Sequence, residues 1–183
     1  VQAVIDGPIG DQLRLLRESP LSTDFGDIAR QLQATGDTRV ELDFALPFDD
    51  LAKGRERLAG AVLLSGTALE LAGWPLSLER LEGRLGFDLK GLKAKGIQGQ
   101  LLGVPAVVDV QTDKGGVTTV TGTLRRIDVR AFDELAAGGL SQLRGAGTLK
   151  VSVAVPRLHS KDRLSIRLDS DLKGIAVDAP PPF

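Results

Sequence analysis

Cysteine, methionine and tyrosine are absent from this sequence, histidine occurs once, and aromatic residues make up only 4% of it. Without cysteine there is no disulfide framework and no thiolate to act as nucleophile or metal ligand. The lone His159 sits in a charged stretch, His159-Ser160-Lys161-Asp162, that reads as a turn; a metal site needs a cluster of ligands, and none surrounds it. Charge of one sign is also missing. The 23 basic and 24 acidic residues are interspersed for a net charge of −1, so no basic stripe can follow a phosphate backbone and no nucleic acid partner is expected. Long apolar runs are missing too. The longest uncharged stretches, Leu58–Leu69 and Gly96–Val108, are broken by glycine and fall well short of the roughly 20 apolar residues of a membrane-spanning helix. The chain opens on Val1-Gln2-Ala3-Val4 without a methionine, and the expectation is a piece of a longer polypeptide whose signal or membrane anchor lies elsewhere.

What is present is alternation. Val40, Leu42, Phe44 and Leu46 alternate with Arg39, Glu41, Asp43 and Ala45, and Leu85, Phe87 and Leu89 alternate with Arg84, Gly86, Asp88 and Lys90. Leu149, Val151, Val153 and Val155 face away from Thr148, Lys150, Ser152 and Ala154, and Leu164, Ile166 and Leu168 face away from Arg163, Ser165, Arg167 and Asp169. A period of two is the mark of strands with one buried face. Lys90-Gly91, Asp113-Lys114-Gly115-Gly116 and the His159 turn predict hairpin connections. The apolar phase flips across Gly96, between Ala94 and Ile97, and across Gly174, between Leu172 and Ile175. A phase flip requires a bulge, and a bulge bends a sheet. The expected fold is therefore mainly β, a long, strongly curved antiparallel sheet.

Two or three short helices interrupt it. Pro8 suits a first helical turn, and Ile9, Leu13 and Leu16 then form one apolar stripe that Ser19-Pro20 ends. Asp24–Leu32 predicts a second helix and Arg130–Ala137 a third. The length suits one good core, treated as a single segment over 1–183. A weak repeat divides it into units of about 1–78 and 79–183: Leu58/Gly60/Val62 is echoed by Val120/Gly122/Leu124, and Leu78/Leu81/Gly83 by Leu140/Leu143/Gly145. Such repetition favours a sheet extended by modules over one closed barrel.

Catalytic motifs are not found. Gly139-Leu140-Ser141-Gln142-Leu143 lacks the second glycine of a nucleophile elbow. The spacing of Gly96, Gly99 and Gly103 is not that of a phosphate-binding loop. Asp169 and Asp171 fall on the polar side of a strand, and Trp74, before Pro75, reads as a plug at the end of a core. No catalytic residue, metal ligand or cofactor is assigned, and the chain is not expected to be an enzyme.

The block Leu81–Val108, reading L-x-G-x-L-x-F-D-x-K-G-L-x-A-x-x-I-x-x-x-L-L-G-x-P-A-x-V, resembles the YhdP branch of the AsmA-like proteins, bridge-like lipid transport proteins with a repeating β-groove. Gly7 through Leu13 and Leu16 to Ser19-Pro20-Leu21 is similar to the family's short helix and its SPL turn. Ser170, Leu172, Gly174, Ile175 and Val177 lead into a proline-rich close, Ala179-Pro180-Pro181-Pro182-Phe183, in which Ala179 stands where the family usually has leucine. The resemblance implies a fragment towards the C-terminal part of such a protein, and an open, taco-like groove with an apolar interior. It further implies a periplasmic segment of an inner-membrane-anchored protein of a Gram-negative bacterium, with phospholipid acyl chains and neighbouring repeats of the same longer protein as partners. The inner and outer membranes would be reached through parts outside this chain.

On this reading Val40, Leu42, Phe44, Leu85, Phe87, Leu89, Val151, Val153, Leu164 and Ile166 line a lipid groove, and the helix at Ile9–Leu16 caps or covers one end of it. The same alternation would arise in a filled β-sandwich serving as a structural or protein-interaction module of the cell envelope, because every half-buried sheet alternates.

Overall fold

Period-two alternation becomes one antiparallel sheet. The computed structural model describes residues 2–18, 32–45, 57–71, 77–101, 103–128, 130, 142–156 and 164–177. The strands are β1 (Gln2–Pro8), β2 (Leu32–Ala45), β3 (Arg57–Leu71), β4 (Ser77–Asp88), β5 (Gly91–Leu101), β6 (Val104–Thr112), β7 (Thr118–Asp128), β8 (Leu143–Val155), β9 (Ser165–Ser170) and β10 (Ile175–Val177), with one helix, α1 (Ile9–Glu18), between β1 and β2. From β1 to β8 each strand pairs with its neighbour in sequence, and β9 and β10 share the far edge along β8. The sheet is open: β1 and the β9/β10 edge have no further strand beside them among the described residues.

Both predicted phase flips are present. At Gly96 the β5–β6 register shifts between Ala94 and Ile97; Gly96 has φ +72°, and its N–H donates to Asp109 Oδ1 at 2.7 Å. A left-handed backbone conformation suits glycine, and the carboxylate satisfies the amide that the bulge removes from the ladder. Around Gly174 the edge gains one residue. Ser170 stands opposite Leu149 and Ile175 opposite Gly145, so four residues (171–174) face three (146–148). The flip is there a turn between two short strands pairing on one neighbour.

The helix predicted at Ile9–Leu16 is α1. It packs against the sheet through buried Ile9 and half-buried Leu13, and one polar side chain fixes it. Gln12 Nε2 donates to the carbonyls of Gly7 (3.3 Å) and Thr38 (3.1 Å), while the buried Thr38 hydroxyl donates to Gln12 Oε1 at 2.5 Å. Leu32, the last residue of the second predicted helix, opens β2, and residues 24–31 of that helix lie outside the described residues, as do 131–137 of the third. The turn predicted at 159–162 and Trp74 lie outside them as well.

The sheet curls towards its apolar face. Leu101 of β5 reaches over β6 so that its Cδ2 lies 3.2 Å from where a Cβ on Gly122 of β7 would stand. Strands two apart in a flat sheet lie roughly 10 Å from each other, too far for that approach. Curling lets one face pack upon itself. One buried cluster joins Ile9, Leu64, Leu81, Ala94, Ile97, Val108 and Val110, and a second joins Leu101, Ala106, Leu124, Ile127, Leu149 and Val151.

Candidate functional site

Pairing registers sort the side chains into rows that run across the strands. The central row on the apolar face is Ile5, Val40, Val62, Leu85, Ala94, Val110, Val120, Val153 and Ile166, one residue from each of β1 to β9; Leu85 and Ala94, each one position past the Gly86–Lys93 pair, meet by packing in one cluster. It contains no polar residue. At roughly 4.8 Å per strand, eight steps make it about 38 Å long. Ala94 and Val110 are buried in its middle, and the other seven are half-buried.

Two further rows flank it. Towards one end of the strands lie Thr38, Leu64, Gly83, Ile97, Val108, Gly122 and Val151, all buried but Gly83 and partly roofed by α1. Towards the other end lie Ala3, Leu42, Gly60, Phe87, Leu92, Thr112, Thr118 and Val155, all half-buried. The face is thus most deeply buried at the α1 end and half-buried at the opposite rim. Small residues let large neighbours lie flat on it. Phe87 covers Gly60, where a Cβ would stand 2.5 Å from the ring's Cζ, and Leu81 covers Gly99, where it would stand 2.6 Å from Cδ2.

The opposite face is polar and carries three ion pairs. Arg39 holds Asp6 through Nε at 2.7 Å, Arg84 holds Glu41 at 2.7 Å, and Arg167 holds Asp169 at 2.8 Å. The hydrogen bond from Arg39 keeps the Asp6 carboxyl below its ordinary pKa of 3.8. Arg84 stands opposite Leu63 and reaches Glu41 over the position of Ala61, which is 1% exposed despite lying on this face. A shallow depression here, about 420 Å³, is lined by Val4, Glu41, Ala59, Ala61 and Arg84 among others, with the Glu41–Arg84 pair on its wall.

Of the residues expected to line a groove, Val40, Leu42, Leu85, Phe87, Val151, Val153 and Ile166 share the apolar face. Leu164 directly precedes β9 and is half-buried. Phe44 pairs with Leu58, and its side chain lies outside the described residues. Leu89 does not join the row. It occupies the two-residue β4–β5 turn with Lys90 and is 54% exposed, because β4 ends at Asp88, which pairs directly with Gly91. Sequence reasoning left out Ile5, Val62, Ala94, Val110 and Val120. The signal for Val62 was the uncharged run Leu58–Leu69, and that for Ala94 and Val110 was the phase flip at Gly96.

Among the described residues no group of three or more His, Cys, Asp or Glu side chains could hold a metal ion, and no helix is long and apolar enough to cross a membrane. Comparison with curated proteins and with solved structures gave no match. A family model does match: that of the YhdP protein covers residues 1–183. With the whole length matched, the chain belongs to the YhdP protein family.

Proposed function

We propose that this chain is a non-enzymatic segment of an envelope-spanning phospholipid transport protein, and that its apolar face shields acyl chains on their way between inner and outer membrane. The observation that carries this reading is the central row, apolar from β1 to β9 and half-exposed over most of its length. Membership of the YhdP family supports it.

The energetics suit the task. Exposing a ~16-carbon acyl chain to water costs about 13 kcal/mol, at roughly 0.8 kcal/mol per methylene. Aliphatic side chains remove most of that cost without directional contacts, so a chain slides over Val62, Leu85 and Val153 with little preference for one position. Charged residues are left to the polar face, in water. Partners on this reading are phospholipid acyl chains, neighbouring repeats of the same protein along the open edges, and both membranes through other parts of the molecule. The location is the periplasm. The two-unit division belongs to the same proposal: Gly60 and Gly83 fall on adjacent strands β3 and β4, and Gly122 and Gly145 on adjacent strands β7 and β8.

A transport assay on the full-length protein tests the reading. Phe87→Asp places a carboxylate on the half-buried apolar rim and should block lipid passage, whereas Asp88→Asn, on the exposed opposite face, should leave it intact. Equal tolerance at the two positions would sink the proposal.

A further inference from the structure

The half-buried rim of the apolar face is hydrocarbon except at one place. Thr112 and Thr118, directly opposite each other on β6 and β7, put two hydroxyls in the rim row next to Leu92. Their Oγ1 atoms are 2.8 Å apart, and Thr112 Oγ1 accepts the Leu92 N–H at 2.9 Å. Two hydroxyl hydrogens are available and only one is used, between the threonines. Whichever threonine donates, the other's O–H has no acceptor among the described residues.

Two turns flank this spare donor at the same end of the sheet, Leu89-Lys90 and Asp113–Val117. Each presents an exposed lysine, Lys90 and Lys114, neither in an ion pair among the described residues. Each also holds a carboxylate that is tied to backbone: Asp88 Oδ1 accepts from Lys90 N at 2.7 Å, and Asp113 Oδ1 from Val117 N at 3.0 Å. At this end of the sheet the apolar residues therefore give way to a hydroxyl donor in the rim row and to an exposed lysine in each of the two turns beyond it. That order matches an amphiphile lying down the face with its charged end at the rim.

We infer that the Thr112–Thr118 pair, with Lys90 and Lys114, seats the phosphodiester headgroup of a phospholipid whose acyl chains lie on the half-buried part of the central row, from Val120 to Ile166. The inference rests on the groove reading and adds to it the place and chemistry of the headgroup. Phosphodiester oxygens accept both the spare O–H and the lysine N–H groups. The seat is shallow and half-exposed, so it orients a lipid without trapping it.

The test uses the full-length protein and two diazirine-bearing phosphatidylethanolamine probes, one labelled on the headgroup and one at the end of an acyl chain, each presented in phosphatidylethanolamine/phosphatidylglycerol vesicles. Adducts are mapped by mass spectrometry. The headgroup probe should label residues 89–92 and 112–118, and the chain-end probe should label the apolar face away from them. Thr118→Val, which leaves the Leu92–Thr112 hydrogen bond in place, should lower headgroup labelling of the two turns about fivefold while chain-end labelling persists. Millimolar inorganic phosphate should not compete. Equal labelling of the turns by both probes, no effect of Thr118→Val, or displacement by inorganic phosphate would overturn the seat and leave the groove standing. Absence of labelling by either probe on the face or the turns would overturn both.

Discussion

Single residues set how the apolar face is filled. Glycine in a strand interior normally weakens it, so alanine there should stabilise wherever a methyl group fits. At Gly60 it does not fit: a Cβ would meet the Phe87 ring and the Glu41 carbonyl oxygen. Gly60→Ala should therefore cost about 1–3 kcal/mol, read as a lower urea midpoint, and should change the fluorescence or NMR environment of Phe87. A gain in stability would show that Phe87 does not lie over Gly60. Thr67 makes the opposite case. Its hydroxyl is fully buried with no partner among the described residues, so Thr67→Val, nearly the same shape, should raise stability by about 1 kcal/mol in the same titration. Alternation places Phe87 correctly and misplaces Leu89 for the same reason: periodicity records phase and not where a strand stops. The hairpin turn takes Leu89-Lys90, one residue earlier than Lys90-Gly91 suggests, and the third apolar residue of the series points to solvent.

Among the elements, α1 was legible from its apolar stripe and Pro8, but β1 was not. Val4, 62% exposed on the polar face, and Gly7 on the apolar one break the alternation that Ala3 and Ile5 would show. Strand β3 looks like an uncharged run because Ala59, Ala61 and Leu63 occupy its polar face under charges supplied by β2 and β4, which no one-dimensional pattern reveals. What fixes α1 was equally invisible, since Gln12 and Thr38 are 26 residues apart. Gln12→Ala leaves the buried Thr38 hydroxyl without its acceptor, and amide exchange over Ile9–Glu18 should accelerate severalfold while the central strands keep their protection. Unchanged exchange in the helix would show that Ile9 and Leu13 suffice to hold it. The edge strand β1 carries a pH dependence of defined sign. Asp6 has its folded pKa lowered by the Arg39 hydrogen bond, so its contribution is fully present above the ordinary value of 3.8 and is lost as pH falls through the lower folded value. Exchange in β1 should be insensitive to this pair from pH 8 to pH 5 and should rise in more acid solution. Asp6→Asn should remove that acid-specific rise.

At the scale of the whole molecule, one sheet does the work of two. A sandwich buries its faces against a second layer; here part of the apolar face is covered by the sheet's own curl, with one ten-residue helix over one end. Curl and small inner residues go together, as Leu101 over Gly122 and Leu81 over Gly99 show. The curvature was foreseeable from the glycine bulges. Whether the face would be open or filled was not, because a groove and a core present the same alternation along each strand. What the structure adds lies across the strands, where the pairing registers align apolar residues into one row with a half-buried rim, and the groove proposal is built on that row. The central claim is that lipid occupies this row, and photocrosslinking in cells tests it most directly. A crosslinkable residue is placed in the full-length protein at Phe87 or, separately, at Asp88, and adducts are analysed for phospholipid. Adducts to the acyl chain at Phe87 and none to it at Asp88 are the predicted result; adducts at neither position in a folded protein would contradict it and leave the row an ordinary core.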